Sequence, residues 1–172
     1  MAKPKVIVKI DAFKDINDAL NKRVMQQMGN MIVDEMKVNI AAGLSPVKGV
    51  GRFEAYASQR ENNPDKYPNE SLRQKTGKKK RPVNLKLWGG YLENIISKPL
   101  GNGQLAITFK DFTGKIKDLY EAHNLGTLTK KNVPQRKHIP SESGDQFNQN
   151  ISQKILEFIG NAVDNAIKKS NK

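Results

Sequence analysis

The side chains in this 172-residue sequence best suited to proton transfer near neutral pH are two histidines, His123 and His138, fifteen positions apart. Neither sits in a carboxylate–histidine or paired-histidine motif, so each reads as a surface or hydrogen-bonded imidazole rather than a metal ligand or an acid/base group. There is no cysteine, which excludes disulfides and thiolate metal sites and fits a reducing compartment. Gly43 to Gly51 is glycine-rich but lacks the Gly-Lys-Ser/Thr ending of a phosphate loop, and Thr76-Gly77-Lys78 runs into Lys79 instead of a hydroxyl residue. No serine stands in a nucleophile elbow. Asp34 and Glu35 are adjacent on an expected helix and diverge by about 100°, so they cannot face one substrate together. The residues therefore predict no enzymatic activity, no catalytic or metal-ligating set and no cofactor.

The chemistry that does stand out is charge. Between Gly43 and Lys86 lie Lys48, Arg52, Arg60, Lys66, Arg73, Lys75, Lys78, Lys79, Lys80, Arg81 and Lys86, against Glu54, Glu61, Asp65 and Glu70. That net +7 is more than half of the chain's +13. The stretch is turn-rich at its start and Pro64, Pro68 and Pro82 keep the rest extended, so it reads as a basic arm or loop inserted in a domain. Such an arm suits polyanion or an acidic neighbouring surface. The run Lys78-Lys-Lys-Arg81 before Pro82 favours phosphate contact over a targeting signal. No base-reading motif accompanies it, so nucleic-acid binding through it would be nonspecific and salt-sensitive.

The elements around the arm follow from periodicity. Val6, Val8 and Ile10 alternate with Lys5 and Lys9 and predict a short strand, which either pairs within its own subunit or adds to a neighbour's sheet. Ile16, Leu20, Val24, Met28, Met31, Ile32, Met36 and Ile40 predict an amphipathic helix over about 15–42, capped by Asp15 and stopped by Gly43. Leu85, Leu87, Trp88, Tyr91, Leu92, Ile95 and Ile96 suggest a second, short helix ended by Pro99. Gly101-Asn102-Gly103 is a turn leading into a strand over Leu105–Phe109. Ile116, Leu119, Tyr120 and Ala122 allow a helical turn that stops near Gly126, and Val133 to Pro140 is extended. Phe147 to Ile167 forms a closing amphipathic helix, with Lys168 and Lys169 placed for its dipole.

The expected fold class is α+β: two long amphipathic helices packed on a small, mainly antiparallel sheet. A single domain spans 1–172, with the long basic arm over 43–86 inserted within it. Hydrophobic content of 37% fits one modest core plus polar segments. The apolar runs are far short of the ~20 residues of a membrane span, and the amino terminus does not read as a signal peptide.

Several segments together resemble the tailed-bacteriophage virion-morphogenesis proteins, a family of tail-completion and head–tail joining (neck) proteins. They are Ala41-Ala-Gly-Leu-Ser-Pro46, Pro82-Val-Asn-Leu-Lys-Leu-Trp-Gly-Gly-Tyr-Leu92, Leu119-Tyr-Glu-Ala-His-Asn-Leu-Gly126, Val133-Pro-Gln-Arg-Lys-His-Ile-Pro140 and the closing helix. In that family a Tyr-Ala-x-x-His-x-x-Gly-like segment precedes an Ile-Pro-x-Arg-x-Phe-like one. Ala122, His123, Asn124 and Gly126 fall in the first; Pro134, Arg136 and Ile139 fall in the second, with His138 where an aromatic often stands. The sequence departs from the pattern at Glu121 and at Gly89-Gly90, and its arm is longer. The resemblance implies a non-enzymatic structural protein of the virion neck, assembled in the host cytoplasm. It implies a homo-oligomeric ring, commonly of six subunits with twelve as an alternative, between portal, adaptor or head-closure protein and tail terminator or tube protein. No membrane is involved, and the arm would reach an adjacent ring or line the DNA channel. A nonspecific nucleic-acid-binding protein acting through the arm is the competing reading.

Overall fold

The computed structural model describes residues 4–9, 20–54, 83–85, 90–127, 134–141 and 143–170. Among them the fold is α+β, with three helices and a three-stranded antiparallel sheet. In chain order the elements are β1 (Lys5–Lys9), α1 (Lys22–Ala41), β2 (Ile95–Gly101), β3 (Gln104–Phe109), α2 (Gly114–His123) and α3 (Gln149–Ser170).

Helix α1 begins later than the periodicity suggests. Its N-cap is Asn21, whose Oδ1 accepts from the backbone N–H of Arg23 and Val24 at 3.0 and 3.1 Å. Two orphan donors of the first turn are thereby satisfied. Asp15, the expected cap, lies outside the described residues. The carboxyl end behaves as expected. Gly43 takes φ +76°, its N–H reaches Ile40 O at 3.0 Å, and Leu44 N–H reaches Asn39 O at 2.9 Å. This pair of bonds is the Schellman closure, which needs a left-handed residue where glycine stands.

The expected second helix is instead turn and strand. Tyr91 to Asn94 form a turn, and Ile95 and Ile96 open β2. Pro99, expected to stop a helix, pairs opposite Leu105 on an outer strand, a place that tolerates a missing N–H. Residues 86–89, including Trp88 and Lys86, lie outside the described residues. The β2–β3 hairpin turns on Asn102-Gly103, both with positive φ (49° and 66°), as a two-residue type I′ connection requires. Strand β3 is central, in the order β1-β3-β2, and β1 pairs antiparallel to it within the chain, with Ile7 opposite Ala106.

The two faces of the sheet differ. One face carries Val6, Val8, Leu105, Ile107 and Ser97 toward the core, with its β2 and β3 part against α1. Gly29 sits at the closest approach: a Cβ there would lie 2.5 Å from Ser97 Cβ and 2.8 Å from Leu105 Cδ1. Gln26 and Asn30 flank it and both hydrogen-bond Ser97 Oγ. Helix α1 packs on β2 and β3, and α3 packs on the other side of α1. Asn148 Nδ2 donates to Asn39 Oδ1 at 3.0 Å and Lys154 pairs with Glu35, so α3 runs antiparallel to α1. The order through the molecule is sheet, α1, α3. An aromatic group of Tyr91, Phe109, Phe112 and Tyr120 closes the core beside α2, with neighbouring ring centroids 5.4–5.8 Å apart.

Candidate functional site: a buried polar clasp

Two of the segments that carry the resemblance, 119–126 and 133–140, meet in one cluster. Asn124 follows α2 and is fully buried. Its Oδ1 accepts from the backbone N–H of His138 and of Ile139, both at 2.8 Å. Its Nδ2 donates to Ile139 O at 3.1 Å and Ser141 Oγ at 3.0 Å. Its own carbonyl accepts from Gln135 Nε2 at 2.8 Å. One asparagine side chain thus supplies partners for the backbone of an irregular extended segment, which has no sheet neighbour among the described residues. The Arg136 N–H adds a bond to His123 O at 2.6 Å. Gly126, at φ +69°, turns the chain away, and a Cβ there would press on Gln135 at 3.1 Å.

Below Asn124 lie buried ionisable side chains. Arg136, with no exposed surface, donates from Nε to Glu54 O at 3.1 Å and from Nη1 to Pro134 O at 3.3 Å. Its Nη1 is also 3.3 Å from His123 Nδ1. A guanidinium only donates, so that nitrogen of His123 accepts. His138 is likewise fully buried. Its Nδ1 lies 2.7 Å from Arg136 O and must donate, which leaves Nε2 to accept the Tyr91 hydroxyl at 2.6 Å. Burial drives the His138 pKa down to about 4, against a smaller upward pull from its bond to the Arg136 carbonyl. Burial, and then the nearby Tyr120, raise the Tyr91 phenol well above its ordinary 10. Tyr91 therefore stays a donor and His138 a neutral acceptor at physiological pH. The His138 ring stands edge-on to Tyr91 at 5.4 Å, so it packs as the aromatic expected at that position would.

The clasp also grips the first root of the basic stretch. Ser45 Oγ donates to Lys137 O at 2.5 Å, and Arg136 holds Glu54. Leu44 and Arg52 bridge each other, Val47 bridges Phe147, and Phe53 is buried. At the returning root Val83, Asn84 and Leu85 are buried, Leu85 with φ +44°. A leucine held there costs roughly 1 kcal/mol or more, which the surrounding packing must offset. Residues 43–54 and 83–85 are thus packed against the body. Of the predicted contact cations, Lys48 and Arg52 are exposed on the first root, with Lys48 Nζ 3.0 Å from Gln146 Oε1. Arg60, Lys66, Arg73, Lys75, Lys78, Lys79, Lys80, Arg81 and Lys86 lie outside the described residues.

Of the predicted motif positions, Ala122, His123, Asn124, Arg136 and Ile139 are buried together, while Gly126 and Pro134 are half-buried at the edge. Of the two readings given for the histidines, surface or hydrogen-bonded, the second holds: both are hydrogen-bonded and buried. Reading along the chain missed Tyr91 and Ser141 as partners, because they reach the clasp from 47 and 17 positions away. Among the described residues no group of three or more His, Asp or Glu is placed to hold a metal, and no helix is long and apolar enough to cross a membrane. Compared with protein-family models, curated proteins and solved structures, the chain gives no match.

Proposed function

We propose that this chain is a non-enzymatic structural protein of a tailed-phage neck: a ring-forming tail-completion or head–tail connector subunit. One observation carries the reading. Two of the segments on which the resemblance rests are locked by Asn124 and Arg136 into a single buried unit, which also ties down the root of the basic stretch. A scaffold that fixes a long charged segment at its base suits a part that must reach and bind neighbours. The outer surfaces are consistent with this. Leu156 and Ile167 on α3 and Ile7 on β1 are 69%, 52% and 50% exposed, an apolar content that neighbouring subunits would cover.

In this role the subunit joins the capsid portal–adaptor or head-closure layer to the tail terminator or tube, within the virion. Its positive charge lies near a channel through which DNA passes, where many weak phosphate contacts permit sliding. Native mass spectrometry of the purified chain is expected to give a closed oligomer of six or twelve copies, and labelled antibody should decorate the neck of intact particles. A chain that stays monomeric at all concentrations and is missing from particles would overturn the reading.

A further inference from the structure

We infer that two surfaces at opposite ends of this layered molecule are complementary, and that α3 of one copy packs on the outer sheet face of the next. The inference rests on the ring reading above and names the contact that would build the ring.

Helix α3 has two apolar stripes. Ile151, Ile155, Phe158, Ile159 and Ala162 turn toward α1. At 100° per residue, Leu156, Gly160, Val163 and Ile167 fall on a second line with the 4-3-4 spacing of a helix-packing seam. Leu156 and Ile167 are exposed, and among the described residues nothing lies within 4 Å of where a Cβ on Gly160 would stand. A glycine inside a helix costs about 1 kcal/mol against alanine. Among the described residues no contact uses the space that it leaves. Along the outer edge of the seam run Glu157 and Asp164, both exposed, with Lys168 marking the edge's end.

The outer sheet face is the counterpart. It presents Ile7 on β1 and Ile96 and Leu100 on β2, which flank Ala106 and Thr108 of β3, themselves buried. Ile7 and Leu100 are 50% and 39% exposed. Its charged groups are basic: Lys5 and Lys98 stand exposed at diagonal corners. From strand spacing and rise they are about 12 Å apart, against about 10 Å between Glu157 and Asp164 along a helix. An apolar seam with an acidic edge therefore meets an apolar face with basic corners, and the glycine makes room for the exposed Ile7. Because α1 separates α3 from the sheet, one chain cannot satisfy both surfaces by itself. The contact is head-to-tail, the type that closes into rings. Self-pairing of like surfaces is disfavoured. In an antiparallel β1–β1 pair centred on Ile7, Lys5 would oppose Lys9, and two antiparallel α3 seams would bring their acidic edges together.

The chain has no cysteine, so a crosslink reports the contact directly. One sample of the full chain carries Gly160→Cys and a second carries Ile7→Cys. Mixed under mild oxidation, they should give a disulfide-linked heterodimer, and each alone should give little. In parallel, Lys98→Glu and Glu157→Lys should each weaken self-association of the full chain about tenfold or more, and mixing the two variants should recover it. An oligomeric wild type with no mixed disulfide and no recovery would overturn this contact while leaving the ring reading standing. A wild type that is monomeric by mass would overturn both. A homodisulfide of the Gly160→Cys chain alone would replace the contact with a symmetric α3 pair. Loss of duplex-DNA retention in Lys98→Glu without any change in self-association would assign the sheet face to nucleic acid instead.

Discussion

Asn124 satisfies two buried backbone donors, one buried carbonyl and a hydroxyl with one side chain. Truncation removes all four partners at once, and each buried group left unpaired costs about 1–3 kcal/mol. Asn124→Ala should therefore destabilise the chain by about 3–5 kcal/mol in urea unfolding, near the upper limit for a single change. His138 makes a prediction of a different kind. Its folded pKa of about 4 lies below the ordinary 6.5, so between these values the unfolded chain takes up a proton that the folded chain refuses. Stability should be unaffected by this group above pH 6.5, fall as pH drops toward 4 and change no further below that. The total is roughly 3 kcal/mol for a shift of this size. His138→Gln should remove that component, so the gap between wild-type and variant unfolding free energies should shrink as pH falls from 7 to 4. A gap independent of pH would show that His138 takes up its proton in the folded state as readily as in the unfolded one.

Two helical glycines show how one substitution takes opposite signs in different elements. Gly29→Ala gains about 1 kcal/mol of helix propensity, but its methyl group would overlap Ser97 and Leu105, and such overpacking typically costs 1–3 kcal/mol. Net destabilisation of α1 against the sheet is expected. Gly160→Ala meets open space among the described residues and should raise the thermal midpoint of the isolated chain by several degrees. Scanning calorimetry on both variants checks the contrast. Sequence periodicity disclosed β1, α1, β3, α2 and α3, because each has an alternating or helical stripe or a strong local signal such as Asn102-Gly103. It misread β2, since Tyr91, Leu92, Ile95 and Ile96 are spaced like a helical face and a short apolar run does not distinguish the two periods. What decided the outcome was pairing with β3, a tertiary event with no local mark. The clasp was legible only in part. His123, Asn124, Arg136 and Ile139 stood out by resemblance, but their bonds to Tyr91, Ser141 and Glu54 cross distances that no spacing rule encodes.

Across the whole molecule the governing quantity is the net charge of +13, which opposes close association of copies unless polyanion or acidic surfaces compensate it. Residues 60–82 contribute eight cations and three carboxylates to that balance. Because 43–54 and 83–85 are packed into the body, a short Gly-Ser replacement of 60–82 leaves both roots and the clasp in place. The body should then fold with nearly unchanged stability. If the segment touches phosphates, each contact releases counterions and adds about 0.9 to the slope of log affinity against log salt. Eight contacts would set an upper bound of about 7 on the slope lost in the variant. Retention on duplex DNA, measured by filter binding between 50 and 200 mM salt (roughly the range over which such contacts fade), should fall sharply and become less salt-dependent. The replacement also separates the two roles considered for this chain. A neck subunit whose body makes the ring should still assemble without the segment, because α3 and the sheet face are untouched. A protein whose helices merely support a nucleic-acid-binding segment should lose its interaction entirely and show no assembly to retain. Equal DNA retention by wild type and variant would move the polyanion contact off this segment and onto the cations of the folded body.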